Sequence, residues 1–131
     1  MLLSTDRIVL KACIEAFPEC RNLLADHMSD YGELLQHVFY PNLINDALID
    51  LLESNKDADK IKKYCAFIEF MWQQGDDSIK NVVDVSILER LSDDPEVWQR
   101  FGTYISDEFK QYINAVAIPE NLSFFNVKEL M

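Results

Sequence analysis

Along most of this chain apolar residues recur three and four positions apart, the spacing that gathers side chains on one face of an α-helix. Ile8, Val9, Ala12, Cys13, Ala16 and Phe17 make the first such face. Pro18 interrupts it, because proline lacks an N–H and crowds the preceding turn. Cys20, Leu23, Leu24, His27, Met28 and Tyr31 make the second, which Gly32 ends. Leu34, Leu35, Val38 and Phe39 predict a helical turn or two before Pro41. Leu43, Ile44, Ala47, Leu48, Leu51 and Leu52 then repeat with strict 3–4 spacing, the cleanest amphipathic pattern in the chain. Ser54-Asn55-Lys56-Asp57 closes that helix and opens another, with Asp57 as its cap.

From Ala58 to Gln74 the pattern widens. Ile61, Tyr64, Cys65, Ile68, Met71 and Trp72 form one face, and Ala66, Phe67 and Phe70 cover much of the rest. A helix apolar on so many sides is expected to be surrounded by others, so this one is placed at the centre, ending at Gly75. Asp76-Asp77-Ser78 is a helix-start cluster. The segment 79–91 is ambiguous: Val83, Val85 and Ile87 alternate with Asp84 and Ser86 as in a strand, while Val83, Ile87, Leu88 and Leu91 satisfy a helix. Helix is preferred because no second strand exists to pair with it. Asp94-Pro95-Glu96 combines a cap, a proline at the first position and an acid at the second. Trp98, Phe101, Ile105, Phe109, Tyr112 and Val116 follow at helical spacing, with Gly102 or Ser106-Asp107 dividing them, and Pro119 stops the run. The expected fold is all-α: a single domain over 1–131, six to eight mostly antiparallel helices in a compact bundle, with an apolar tail at 119–131.

Composition agrees with this. Three glycines and four prolines in 131 residues are few for an all-β chain, and 49% apolar residues argue against disorder. Charge adds more. Twelve basic residues stand against 23 acidic ones, a net charge of −11. Residues 1–55 carry nine acids and three bases, and residues 75–120 carry ten and four. Such a surface repels nucleic acid and anionic membranes and attracts basic proteins; solubility alone is the blander explanation. The Lys60-Ile61-Lys62-Lys63 group is the sole basic patch and is too small for a nucleic-acid reader. Met1 to Arg7 has no basic region followed by a long apolar run, so no signal peptide is expected, and no stretch has the roughly 20 apolar residues of a membrane span. Cys13, Cys20 and Cys65, odd in number and without a Cys-x-x-Cys, fit reduced thiols in the cytoplasm.

The search for chemistry returns mostly negatives. His27 and His37 lack metal-ligand spacing, and Glu33 with His37 would supply only two ligands, so no metal is expected. Cys13 and Cys65 lie on apolar stripes, where a thiol is inert. With three scattered glycines there is no phosphate-cradling loop. No catalytic residue, enzymatic activity or cofactor is therefore expected. Acids remain. Glu69 is the only charge between Tyr64 and Trp72 and reads as a half-buried acid needing Arg90, Arg100 or a backbone N–H as partner; Glu89 is placed in the same class. Asp76, Asp77, Asp84, Asp93, Asp94 and Glu96 crowd into residues 76–96. Helix starts explain several of them singly but not the regional excess, which makes these six the candidate partner-binding surface. Trp72, Trp98 and Tyr104 are candidate hot spots if exposed, with core packing the commoner fate of tryptophan.

The run Phe67-Ile68-Glu69-Phe70-Met71, then Gly75-Asp76, then Asn81-Val82-Val83-x-Val85-Ser86-x-Leu88-Glu89-x-Leu91 resembles a family of small helical bacterial immunity proteins. That family belongs to polymorphic toxin systems, including contact-dependent growth inhibition. Tyr31-Gly32-Glu33-Leu34-Leu35-Gln36-His37 fits the same pattern, and the resemblance spans roughly residues 30–115. Its motifs are mostly apolar and structural. It implies a cytoplasmic protein, monomeric or weakly dimeric, that neutralises one cognate toxin by stoichiometric binding. A basic, nuclease-type toxin would suit an acidic surface. Two other readings stay open: a helical adaptor that binds a peptide or helix, and an all-helical enzyme using Glu33, Glu69 and Glu89 with a borrowed metal.

Overall fold

Short polar side chains start most of the helices. Asp57 accepts from the N–H of Lys60 at 3.2 Å, Asp76 from Ile79 at 3.0 Å, Asp94 from Glu96 at 2.9 Å and Val97 at 3.3 Å, and Ser106 Oγ from Phe109 at 3.2 Å. Each satisfies N–H groups that have no partner within the first turn of a helix. Gly32, at φ +74°, and Asn55, at φ 52°, close two helices in the left-handed conformation, which glycine and asparagine adopt most readily. The computed structural model describes residues 4–117; Pro119 and the expected tail at 119–131 lie outside them.

Seven helices follow from these starts and stops among the described residues. They are α1 (Ser4–Ala16), α2 (Cys20–Tyr31), α3 (Gln36–Ser54) and α4 (Ala58–Gln74). α5 runs from Asp77–Val82 through a π-helical stretch, Val83–Leu88, into Glu89–Leu91. α6 is Pro95–Gly102, and α7 is Asp107–Tyr112 with a second π-helical stretch, Ile113–Ala117. The architecture is all-α, as the apolar spacing predicts. The ambiguous segment is helical, although its middle is wider than an α-helix.

Two local expectations are corrected. Pro41 does not end a helix; it lies inside α3. It removes one hydrogen bond, to the carbonyl of His37. Packing holds the helix together across that gap, since Phe39, Tyr40, Leu43 and Ile44 are all buried around it. Nor is α4 the sole centre. α3 packs against α2, α4, α5 and α6, while Ala66 on α4 faces solvent. α3 is the hub because its apolar stripe is long enough to serve four neighbours.

Arg100 ties α3 to α6. Its Nη1 donates to the carbonyls of Leu52 at 2.6 Å and Glu53 at 2.9 Å, which capping would otherwise leave open at the end of α3. Aromatic pairs close the remaining seams. Phe17, at the α1–α2 turn, stacks on Tyr64 of α4 with ring centroids 4.7 Å apart. Trp72 of α4 lies against Phe109 and Tyr112 of α7 at 4.9 and 5.0 Å. Trp98 and Phe101 of α6 are buried.

Candidate functional site

The six clustered acids have different fates. Asp76 and Asp94 are helix caps. Glu96 pairs with Arg100, four residues on, in an exposed ion pair. Asp84 is half-buried, and both its oxygens accept from the hydroxyl of Tyr112 at 2.8 Å. Burial pushes its carboxyl above the ordinary value, against the lowering effects of the Tyr112 hydrogen bond and of Lys80. Asp77 and Asp93 are exposed. They lie at opposite ends of α5, separated by roughly 20 Å at 1.5 Å per residue. The acids therefore frame α5 rather than form one continuous patch.

Of the two acids expected to be half-buried, Glu69 is so. It accepts from both the backbone N–H of Ser106, at 3.1 Å, and its hydroxyl. Of the partners expected for it, it thus takes a backbone N–H, at the start of α7, and not Arg90 or Arg100. Glu89 is exposed, contrary to expectation. It sits on the outer side of α5, where Arg90 reaches instead to Asp46 at 2.8 Å. Among the hot-spot candidates, Trp98 is buried, and Trp72 and Tyr104 are half-buried.

The Asp77 end of α5 adjoins an apolar groove. Leu34, Leu35, Gln36, His37, Val38 and Ser78 line an open depression of about 410 Å³. Val38 and, on α5, Val85 are among the large apolar side chains left exposed, at 41% and 49%. Each wall of the groove is fixed from beneath. The buried His27 accepts from the N–H of Leu35 at 2.9 Å and packs against Tyr31 and Phe39, which sets the 32–35 connection. Gln36 donates to the buried Asp6 of α1 at 2.8 Å. His37 Nδ1 lies 2.6 Å from Ser86 Oγ, and Asn45 Nδ2 donates to the Ser86 carbonyl at 2.9 Å. A π-helical turn displaces its carbonyls from the regular ladder, and such turns recur at functional sites. Here Asn45 donates to one of them, and Val85 is turned outward. Exposed acids flank the lining in sequence, with Glu33 before Leu34 and Asp77 before Ser78.

Sequence reasoning missed this groove. Its signal was Asn45, a buried polar residue inside the run 43–52 that donates to the Ser86 carbonyl. Burial raises all three thiols, Cys65 to about 12 with help from Glu69, so none is held as a thiolate in the closed fold. Among the described residues no three His, Cys, Asp or Glu side chains gather as a metal site would need, and no helix is long and apolar enough to cross a membrane.

No curated protein and no solved structure matches the chain. A family described as Domain of unknown function (DUF7674) matches residues 10–118, from the middle of α1 through the end of α7. The chain is a member of that family.

Proposed function

We propose that this protein acts by binding another protein, and that the bound partner is a basic toxin it neutralises one to one. The toxin assignment rests on the resemblance of residues 30–115 to helical immunity proteins. The binding reading rests on one observation: the groove lined by Leu34, Leu35 and Val38 adjoins exposed acids on a chain of net charge −11. An apolar floor beside carboxylates suits a basic surface that carries an apolar anchor. Charge would speed the encounter, and burial of the anchor would hold the complex.

The roles of the individual acids decide how to test it. Reversing Asp76, Asp84 or Asp94 would disturb capping or packing, so Asp77 and Asp93 are the informative positions. Isothermal titration against the product of an adjacent reading frame should give a 1:1 complex. Asp77→Lys, beside the groove, should slow association by roughly tenfold, and Val38→Asp should speed dissociation. Unchanged kinetics in both, with the fold intact, would remove the groove from consideration. A larger effect from Asp93→Lys would move the surface to the other end of α5.

The mostly apolar lining also supports an adaptor that receives an amphipathic helix. A gene with no toxin reading frame beside it, and a protein that captures a basic amphipathic helical peptide, would favour that reading.

A further inference from the structure

Cys13 and Cys20 bring their sulfurs to 2.9 Å, and neither side chain has any exposure to solvent. That is nearer than ordinary non-bonded contact, about 3.5–4.0 Å between carbon atoms. It is within roughly 1 Å of the 2.03–2.05 Å of a disulfide. The backbone sets this approach. Pro18 breaks the helix between the two residues. The turn is held by the N–H of Phe17 donating to the Cys13 carbonyl at 2.9 Å and that of Cys20 to the Phe17 carbonyl at 3.0 Å. Phe17 is itself clamped on Tyr64 and Phe67. The third cysteine, Cys65, is buried on α4. Nothing in the binding reading uses the pair.

We propose that Cys13 and Cys20 are a modification site: an intramolecular disulfide that staples α1 to α2 when the protein meets a small oxidant of the peroxide class. One thiol, as its thiolate, attacks a peroxide oxygen and becomes a sulfenic acid, and the peroxide's other oxygen leaves as water after protonation. The second thiol then attacks the sulfenic sulfur, the S–S bond forms, and a second water leaves. Two thiols lose two electrons and two protons, and one hydrogen peroxide becomes two waters.

The surroundings fit a slow, selective reaction. Desolvation holds both thiols in their protonated form, so attack waits for the turn to open. An open cleft of about 390 Å³ lined by Phe17, Pro18 and Glu19 brings solvent up to that turn. Tyr40, fully buried, has no hydrogen-bond partner for its hydroxyl among the described residues, and charge on either thiol would oppose its ionisation and keep it a protonated donor. That places an uncommitted donor near the sulfurs for the thiolate that forms.

The test treats the reduced full-length protein with hydrogen peroxide, alkylates it under denaturing conditions and maps the peptides by mass. One alkylated thiol should remain, at Cys65, with a Cys13–Cys20 cross-link, a mass two hydrogens lower and a melting temperature several degrees higher. Cys65→Ser should form the same cross-link. Three alkylated thiols after prolonged treatment, a cross-link that includes Cys65, a disulfide between two chains, or a lower melting temperature on oxidation would each overturn the proposal.

Discussion

Both carboxylate oxygens of Asp84 lie 2.8 Å from the Tyr112 hydroxyl, at the seam between α5 and α7. Burial nevertheless raises the carboxyl above its ordinary 3.8. The folded chain therefore holds that proton more tightly than the unfolded chain does. The stability this provides is complete below pH 3.8 and is lost as pH rises through the folded value. An amide accepts the same hydrogen bond without the charge. Asp84→Asn should melt at a higher temperature than wild type at about pH 7, and the advantage should vanish at about pH 3.5, where wild type is protonated as well. A lower melting temperature at pH 7 would mean that the charged hydrogen bond outweighs desolvation. Gly75 poses a different residue-scale problem. Its backbone is extended, at φ −75° and ψ 155°, so no left-handed turn requires glycine there. Space does, because a Cβ would collide with Ile79 and the Met71 carbonyl. Gly75→Ala should lose about 1–3 kcal/mol in urea unfolding, whereas a purely conformational role would leave it neutral. The sequence located this helix end correctly, but the collision with Ile79 and the Met71 carbonyl, each four residues away, follows from the geometry of the turn rather than from residue type.

At the scale of the element, α3 shows where pattern reading succeeds and where it stops. Its stripe from Leu43 to Leu52 was legible because apolar residues recur there three and four positions apart, which gathers them on one face. Its first turn was legible only as a separate short helix, since Pro41 reads as a boundary when only the local chain is weighed. The burial of Phe39 and Tyr40 by distant helices decides otherwise. The missing N–H remains a local defect. Pro41→Ala restores a donor to the His37 carbonyl, and a proline inside a helix is unfavourable by up to about 3 kcal/mol relative to alanine. The substitution should therefore stabilise the protein, by roughly 1–2 kcal/mol in a denaturant titration because proline also restricts the unfolded chain. A loss of stability would show that the ring packs better than an alanine methyl. α5 makes the complementary case. Its strand-like alternation of Val83, Val85 and Ile87 lies in the π-helical stretch, where Val83 and Ile87 turn inward and Val85 outward. The pattern alone was ambiguous, and helix was preferred because no second strand exists to pair with it; the widened turn was not readable, because its Ser86 carbonyl is met by Asn45, some forty residues earlier in the chain. The groove beside it was hidden for the same reason.

For the whole molecule the governing quantity is the uncompensated charge. The ion pairs Arg90–Asp46 and Arg100–Glu96 are largely exposed, and such pairs contribute little in water. Against them stands a net charge of −11, whose mutual repulsion opposes the folded state. The core must outweigh that repulsion, and screening should relieve it. With a Debye length of about 30 Å at 0.01 M and 10 Å at 0.1 M, the melting temperature should climb as sodium chloride rises from about 0.01 to 0.5 M. A fall over that range would show that the ion pairs contribute more than the repulsion removes. A basic partner would relieve the same repulsion by another route, by placing its cations among the carboxylates. Its association rate should therefore drop at least tenfold over the salt range in which the free protein gains stability. A partner whose association rate ignored salt would be held by the apolar groove alone, and the acidity would then serve solubility.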